Sequence, residues 1–221
     1  MKSRLLAVVV FGMFLLFIST ARADEGGKQE ASAQGTGFFT ADSTGRGLSQ
    51  RSTNTGGFLL SYRYHFNRWL GADVSYGRAR NTERTFTTTP TLPVLPPIFG
   101  PGPRVLTTTL PVQTNIHEAT AAAVVTVPTS GRFRPYALAG TGALAFVPTQ
   151  NIGGLVPGAG NQSKAVFEYG GGADYGITKH IAFRLEYRGF VYKRPDFGLI
   201  TLRTNATTNT AQPSAGVVFQ F

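Results

Sequence analysis

The chain has 221 residues and a formal net charge of +10, yet only 14% of its residues are charged, against 12% aromatic, 27 glycines and no cysteine. The missing cysteines exclude disulfide staples, so packing and hydrogen bonding must hold an exported fold. So little charge beside so much Phe, Tyr and Gly argues against an ordinary water-facing globule, and scattered Lys and Arg with no basic run argue against nucleic acid as partner.

The first element is a leader. In "MKSRLLAVVVFGMFLLFISTARADE", Lys2 and Arg4 precede an apolar run from Leu5 to Ile18, and Ala21-Arg22-Ala23 supplies a small-residue cleavage pattern. This is the layout of a secretory signal peptide, residues 1–23, which leaves 24–221 as one domain. The run is short for a membrane-spanning helix, and polar chain follows at once.

Beyond the leader the pattern has period two. A first, weak strand covers 30–41. In "GGFLLSYRYHF", Phe58, Leu60, Tyr62, Tyr64 and Phe66 alternate with Leu59, Ser61, Arg63 and His65. "LGADVSYGRAR" sets Leu70, Ala72, Val74 and Tyr76 against Asp73, Ser75 and Gly77. Weaker segments follow at 114–127 and 133–147. "AVFEYGGGADYGI" and "HIAFRLEYRGFVYK" alternate clearly, the second with Ile181, Phe183, Leu185, Tyr187 and Val191 on one face, and a last segment covers 212–221.

That makes eight strands. Connections are long at about 42–52, 84–113, 148–163 and 194–209, and short at 67–69, 128–132 and 178–180. Long and short connections alternating along an even number of antiparallel strands predict an all-β, eight-stranded, up-and-down transmembrane β-barrel, with long outer loops and both mature termini periplasmic. An apolar band about 25 Å tall, crossed at a tilt, takes about ten residues, which these segments supply. A soluble eight-stranded sandwich shares the alternation but buries its apolar faces in a dry core. It leaves unexplained the aromatics near strand ends, Phe66, Trp69, Tyr136, Phe146, Tyr175, Tyr187, Phe219 and Phe221, where interfacial girdles belong.

So narrow a barrel is filled by side chains. Pairing across the 67–69 turn puts Arg63 opposite Asp73, and pairing across 178–180 puts Asp174 opposite Arg184. Glu118, Glu168, Glu186 and Arg188 fall one or two layers further out, with Glu168 diagonal to Arg188. These charges read either as a polar plug or as a narrow ion path.

The pattern resembles the small eight-stranded outer-membrane proteins of the OmpA-transmembrane-domain, OmpX and opacity-protein type. The carrying stretches are "FRPYALAGTGALAF", "YGGGADYGITKHIAFRLEYRGFVY" and the terminal "SAGVVFQF". The resemblance implies that the ending, with Ser214, Gly216, Phe219 and Phe221, is an assembly signal read by the barrel-assembly machinery of the outer membrane. It implies outer-membrane lipid as surroundings.

No catalytic residue, cofactor or metal ligand is expected. A lipid hydrolase needs a nucleophile beside a base. The histidines are His65, His117 and His180; only His117 lies near the outer rim, and the H-x-S pattern of lipid A deacylases is absent. Gly170 to Gly172 lie within a strand and suit close approach or bending better than phosphate binding.

Two loop features point outward. Residues 84–113 contain Pro90, Pro93, Pro96, Pro97, Pro101, Pro103 and Pro111, which favour an extended arm carrying Leu95, Ile98 and Phe99, or else a variable loop. Its threonine flanks suit continued strands. Arg46, Arg51, Arg78, Arg80, Arg84, Arg104, Arg194 and Arg203 form a basic collar, of which Arg78, Arg80 and Arg84 are candidate contacts to lipopolysaccharide phosphates. The expected role is non-enzymatic: envelope structure and surface interaction or adhesion through the outer loops, by a monomer. The alternatives are a narrow porin-like channel and, more remotely, a lipid-modifying barrel enzyme.

Overall fold

The computed structural model describes residues 29–45, 48–88, 108–149, 160–197 and 206–221. The expected leader, the proline-rich arm with Leu95, Ile98 and Phe99, and Arg46, Arg104 and Arg203 lie outside them. The described strands are β1 (Gln29–Thr40), β2 (Ser43–Gly45), β3 (Leu48–Ser52), β4 (Thr55–His65), β5 (Leu70–Thr88), β6 (Thr108–Thr126), β7 (Phe133–Pro148), β8 (Gln162–Gly176), β9 (Ile181–Lys193) and β10 (Thr207–Gln220).

β1 pairs with β4 and β10, each later strand of the series β4 to β10 pairs antiparallel with the next, and the sheet closes on itself. The result is an eight-stranded antiparallel barrel, as the alternation predicts. β2 and β3 are additional: they form a hairpin within the expected loop 42–52. β3 then pairs with β5 from Leu48↔Thr88 to Ser52↔Arg84, beyond the last β4 pair at Gly57↔Ala79. A register shift between Ala79 and Thr82 marks the change of partner, as bulges do at barrel rims.

β5 and β6 are each 19 residues long and stay paired out to Thr88↔Thr108. The threonine flanks are therefore strand, and the unpaired part of the expected 84–113 loop is correspondingly shorter. β10 begins at Thr207, earlier than residue 212. Pro213 has no N–H to give and looks like a breaker, but it holds its place opposite Tyr187 on β9.

The molecule is inside-out relative to a soluble protein. Phe58, Leu60, Tyr64, Val74, Phe167, Phe183, Leu185, Tyr187 and Val217 are exposed on the outer wall, while Arg63, Asp73, Glu168, Arg184, Glu186 and Arg188 are buried within. Two expected girdle aromatics belong inside instead. Tyr136 and Phe146 are buried in the lumen, whereas Phe66, Trp69, Tyr175, Tyr187, Phe219 and Phe221 are exposed. β7 has small residues on its outward face, Ala137, Ala139 and Ala143, so its periodicity carries little contrast. The inward side offers Tyr136 a buried acceptor, Glu186 Oε2, at 2.6 Å. Gly172 makes the space, because a Cβ there would lie 2.7 Å from the Tyr136 hydroxyl and 2.4 Å from the Leu185 carbonyl oxygen.

Candidate functional site

The short turns build the lumen by fixing register. Asn67 Oδ1 accepts the N–H groups of Trp69 and Leu70 at 2.9 and 2.8 Å, and Phe66 N–H donates to Leu70 O at 2.9 Å. Arg63 and Asp73 are consequently partners across β4 and β5, with Nε to Oδ2 at 3.1 Å. In the 178–180 turn, Thr178 Oγ1 accepts from His180 N and Ile181 N. Asp174 therefore faces Arg184, which grips it with Nε and Nη2 at 2.7 and 2.8 Å, the bidentate geometry of a strong charge-assisted pair.

These pairs belong to one network. Arg184 Nη2 also reaches Glu30 on β1 at 2.8 Å, and Arg63 Nη2 lies 3.4 Å from Glu186. Arg188 contacts Glu186 Oε1 at 2.6 Å, Glu168 Oε1 at 2.8 Å, Ser75 Oγ at 2.6 Å and Asp73 Oδ1 at 3.3 Å. Two guanidinium groups lie over the Tyr136 ring, Arg63 Cζ 4.1 Å and Arg184 Cζ 5.2 Å from its centroid, each a cation–π distance. Glu118 stands apart: Gln212 Nε2 donates to it at 2.8 Å, and it joins no ion pair among the described residues.

Above the charges, toward the long-loop end, lies an apolar layer that sequence reasoning missed. Phe38, Ala79, Ile116, Leu144, Phe146, Val166, Phe190, Tyr192 and Phe197 form one buried cluster. Phe190 and Tyr192 share the inward face of β9 with Arg184 and Arg188, which is the available signal. Phe197 had none, because it comes from the segment after β9. It adopts φ 52°, uncommon for a bulky residue. Gln162 Oε1 accepts both Asp196 N–H and Phe197 N–H, and Gly160 N–H donates to Phe197 O. Arg194, beside it, is buried and donates to Gln50 Oε1 of the β2–β3 hairpin. Two outer segments thus meet over the mouth.

The ending is tied into the seam between β10 and β1. Ser214 points inward, with Oγ to Gln34 Oε1 at 2.9 Å. Gly216 lies against β1, where a Cβ would come within 2.1 Å of Ala33 O. Phe219 and Phe221 face outward, and Phe221 exchanges backbone hydrogen bonds with Gln29 at 3.0 and 3.2 Å.

Arg78 and Arg80 occupy the outward-facing parity of β5 near the long-loop end, Arg78 between Phe58 and His117 in register. Arg84 pairs through its backbone with Ser52 and Val112; its side chain lies outside the described residues. The histidines are dispersed. His65 Nε2 lies 3.2 Å from Glu30 at the short-turn end, His180 is in a turn, and the His117 ring bonds the Tyr76 hydroxyl at 2.8 Å. In register His117 faces Arg78 and Ala145, so no serine adjoins it in either ladder.

Comparison with solved structures finds the same architecture. Neisserial surface protein A is 16% identical, with a TM-score of 0.57 over 90% of this chain and 100% of that one. Ail of Yersinia pestis, in complex with the heparin analogue sucrose octasulfate, is 19% identical, with a TM-score of 0.47 over 90% and 100%. The N-terminal β-barrel domain of Pseudomonas aeruginosa OprF is 17% identical, with a TM-score of 0.48 over 89% and 100%. Comparison with curated proteins finds no match. The family model for the outer membrane protein beta-barrel domain matches residues 10–221. With an apolar outer wall, a charged interior and a seam closed by its own last strand, the chain belongs to the outer membrane β-barrel family.

Proposed function

We propose that this barrel is a non-enzymatic envelope protein that meets surface partners through its long loops, which face the cell exterior while both mature termini face the periplasm. The observation that carries this reading is the raised sheet β2–β3–β5–β6, which stays hydrogen-bonded out to Thr88↔Thr108, well past the end of β4. Strand pairing of that extent stiffens loop flanks and displays whatever they carry on a rigid support. The lumen supports the same reading from the other side. Arg63, Arg184 and Arg188 cross it in ion pairs with Glu186, Glu30 and Asp73, and the cluster around Phe38, Phe146, Phe190 and Phe197 fills it toward the outer mouth.

The test joins two measurements. Cells displaying the protein are expected to attach to matrix-protein-coated plates several-fold above vector controls, and replacing residues 90–107 by a short Gly-Ser turn should abolish the gain at unchanged barrel level. Equal attachment of the truncated form sinks the adhesion reading. Planar-bilayer recordings of the purified barrel are expected to show at most small flickering events, and large stable currents favour the narrow channel instead.

Arg78, Arg80 and Arg84 are proposed to meet lipopolysaccharide phosphates at this rim. Changing all three to Gln is expected to weaken salt-sensitive lipopolysaccharide binding by about tenfold, at up to ~1 kcal/mol for each charge. Binding unchanged in the triple variant rejects the contact.

A further inference from the structure

The short-turn rim holds a cleft of about 410 Å³ between the β6–β7 and β8–β9 turns, and Arg132, Arg134, Gly176, Ile177, Thr178 and Lys179 are among its lining residues. Its walls are fixed by backbone bonds. Gly176 N–H donates to Arg132 O at 2.8 Å across the two turns, Ile177 N–H donates to Ile181 O at 2.9 Å, and Thr178 Oγ1 closes its own turn. A site of this kind is formed before any ligand arrives, which lowers the ordering cost of binding.

Its chemistry is one-sided, because no lining residue is a carboxylate. Arg134 Nη2 lies 3.4 Å from Glu30 and 3.9 Å from Asp174, but both carboxylates are already held more closely by Arg184, at 2.8 and 2.7 Å. Arg132 and Lys179 are exposed and stand in no ion pair among the described residues. Directly beside the cleft the outer wall turns apolar, with Phe133, Tyr175 and Ile177 all more than half exposed. A ligand suited to that boundary carries an anionic head for the cations and an apolar tail for the wall.

We propose that this cleft binds the phosphodiester headgroup of an anionic phospholipid, with Arg132 and Lys179 as its principal cationic contacts, Arg134 behind them, and the acyl chains along Phe133 and Tyr175. The proposal rests on the orientation given above, in which this rim meets the phospholipid leaflet. Binding by detergent-purified protein tests it without reference to orientation.

The experiment is native mass spectrometry of the delipidated barrel with phosphatidylglycerol or with phosphatidylcholine of the same chains. Wild type is expected to retain phosphatidylglycerol about fivefold better, a preference of the size two exposed charges supply. R132Q/K179Q should lose it. R68Q/K193Q, which removes equal charge at the neighbouring turn and at the far rim, should keep it. Equal retention by wild type and R132Q/K179Q, or loss in R68Q/K193Q to the same extent, overturns the site. Competition by millimolar inorganic phosphate supports recognition through the phosphate. Phosphate bound to the cleft without any preference between the two lipids overturns the lipid assignment.

Discussion

Replacing Arg188 by methionine is expected to lower the unfolding free energy of the purified barrel by about 3 to 5 kcal/mol, the usual cost of stripping one partner from a buried ion cluster. This guanidinium touches Glu168, Glu186 and Asp73 at once, and it is fully buried. Its loss leaves three carboxylates facing one another in a lumen where water has little access. Arg63 still attends Asp73 and Glu186, but Glu168 loses its cation among the described residues. R188M/E168Q is therefore expected to recover part of the loss, because the unpaired carboxylate goes with the cation. Arg51 supplies the contrast: its pair with Asp42 at 2.9 Å is exposed on both sides, and R51Q should change stability by less than about 1 kcal/mol. Urea unfolding followed by the fluorescence of Trp69, the single tryptophan, measures all three. An R188M midpoint equal to that of wild type would show that the network contributes nothing to stability.

Deleting Phe221 is expected to reduce the assembled fraction in cells several-fold while scarcely moving the unfolding midpoint of barrel that has been refolded in detergent. The structural loss is small. Phe221 contributes two backbone bonds with Gln29 at the end of the seam, each worth about 1 kcal/mol or less net. Inward contacts of the last strand survive, including Gln220 Nε2 to Glu30 and the buried Val218. A large assembly defect beside a small stability change therefore separates recognition of the terminus from its packing. Wild-type assembly of the shortened chain would remove the address role. A parallel fall in both quantities would reduce the residue to a fold contact.

The barrel was legible where local chemistry sets register. Asn67 and Thr178 each cap a tight turn, so residues on either side of them are placed by counting, and Arg63 lies opposite Asp73 and Asp174 opposite Arg184. Distance along the chain hid the rest. Glu30 belongs to the same network through Arg184, and β1 reads "QEASAQGTGFFT", in which Glu30, Ser32, Gln34 and Thr36 alternate with Ala31, Ala33, Gly35 and Gly37. That alternation indicates the inward parity but not the partner, because Glu30 meets Arg184 of β9 only once β10, at the other end of the chain, closes against β1. Tyr136 departs from the girdle expectation for a different reason, since β7 alternates large with small rather than apolar with polar. Its true direction was written on another strand, at Gly172. Phe197 follows the end of β9 in an expected loop, and periodicity says nothing about loops that fold back over a mouth.

The change of partner along β5 makes the outer hairpins a single mechanical part. Up to Ala79 that strand leans on β4, and from Arg84 onward it leans on β3. Here residues 43–52 and the flanks 84–88 and 108–112 must travel together, because a graft that takes one strand of this sheet without its neighbour strands an unpaired edge.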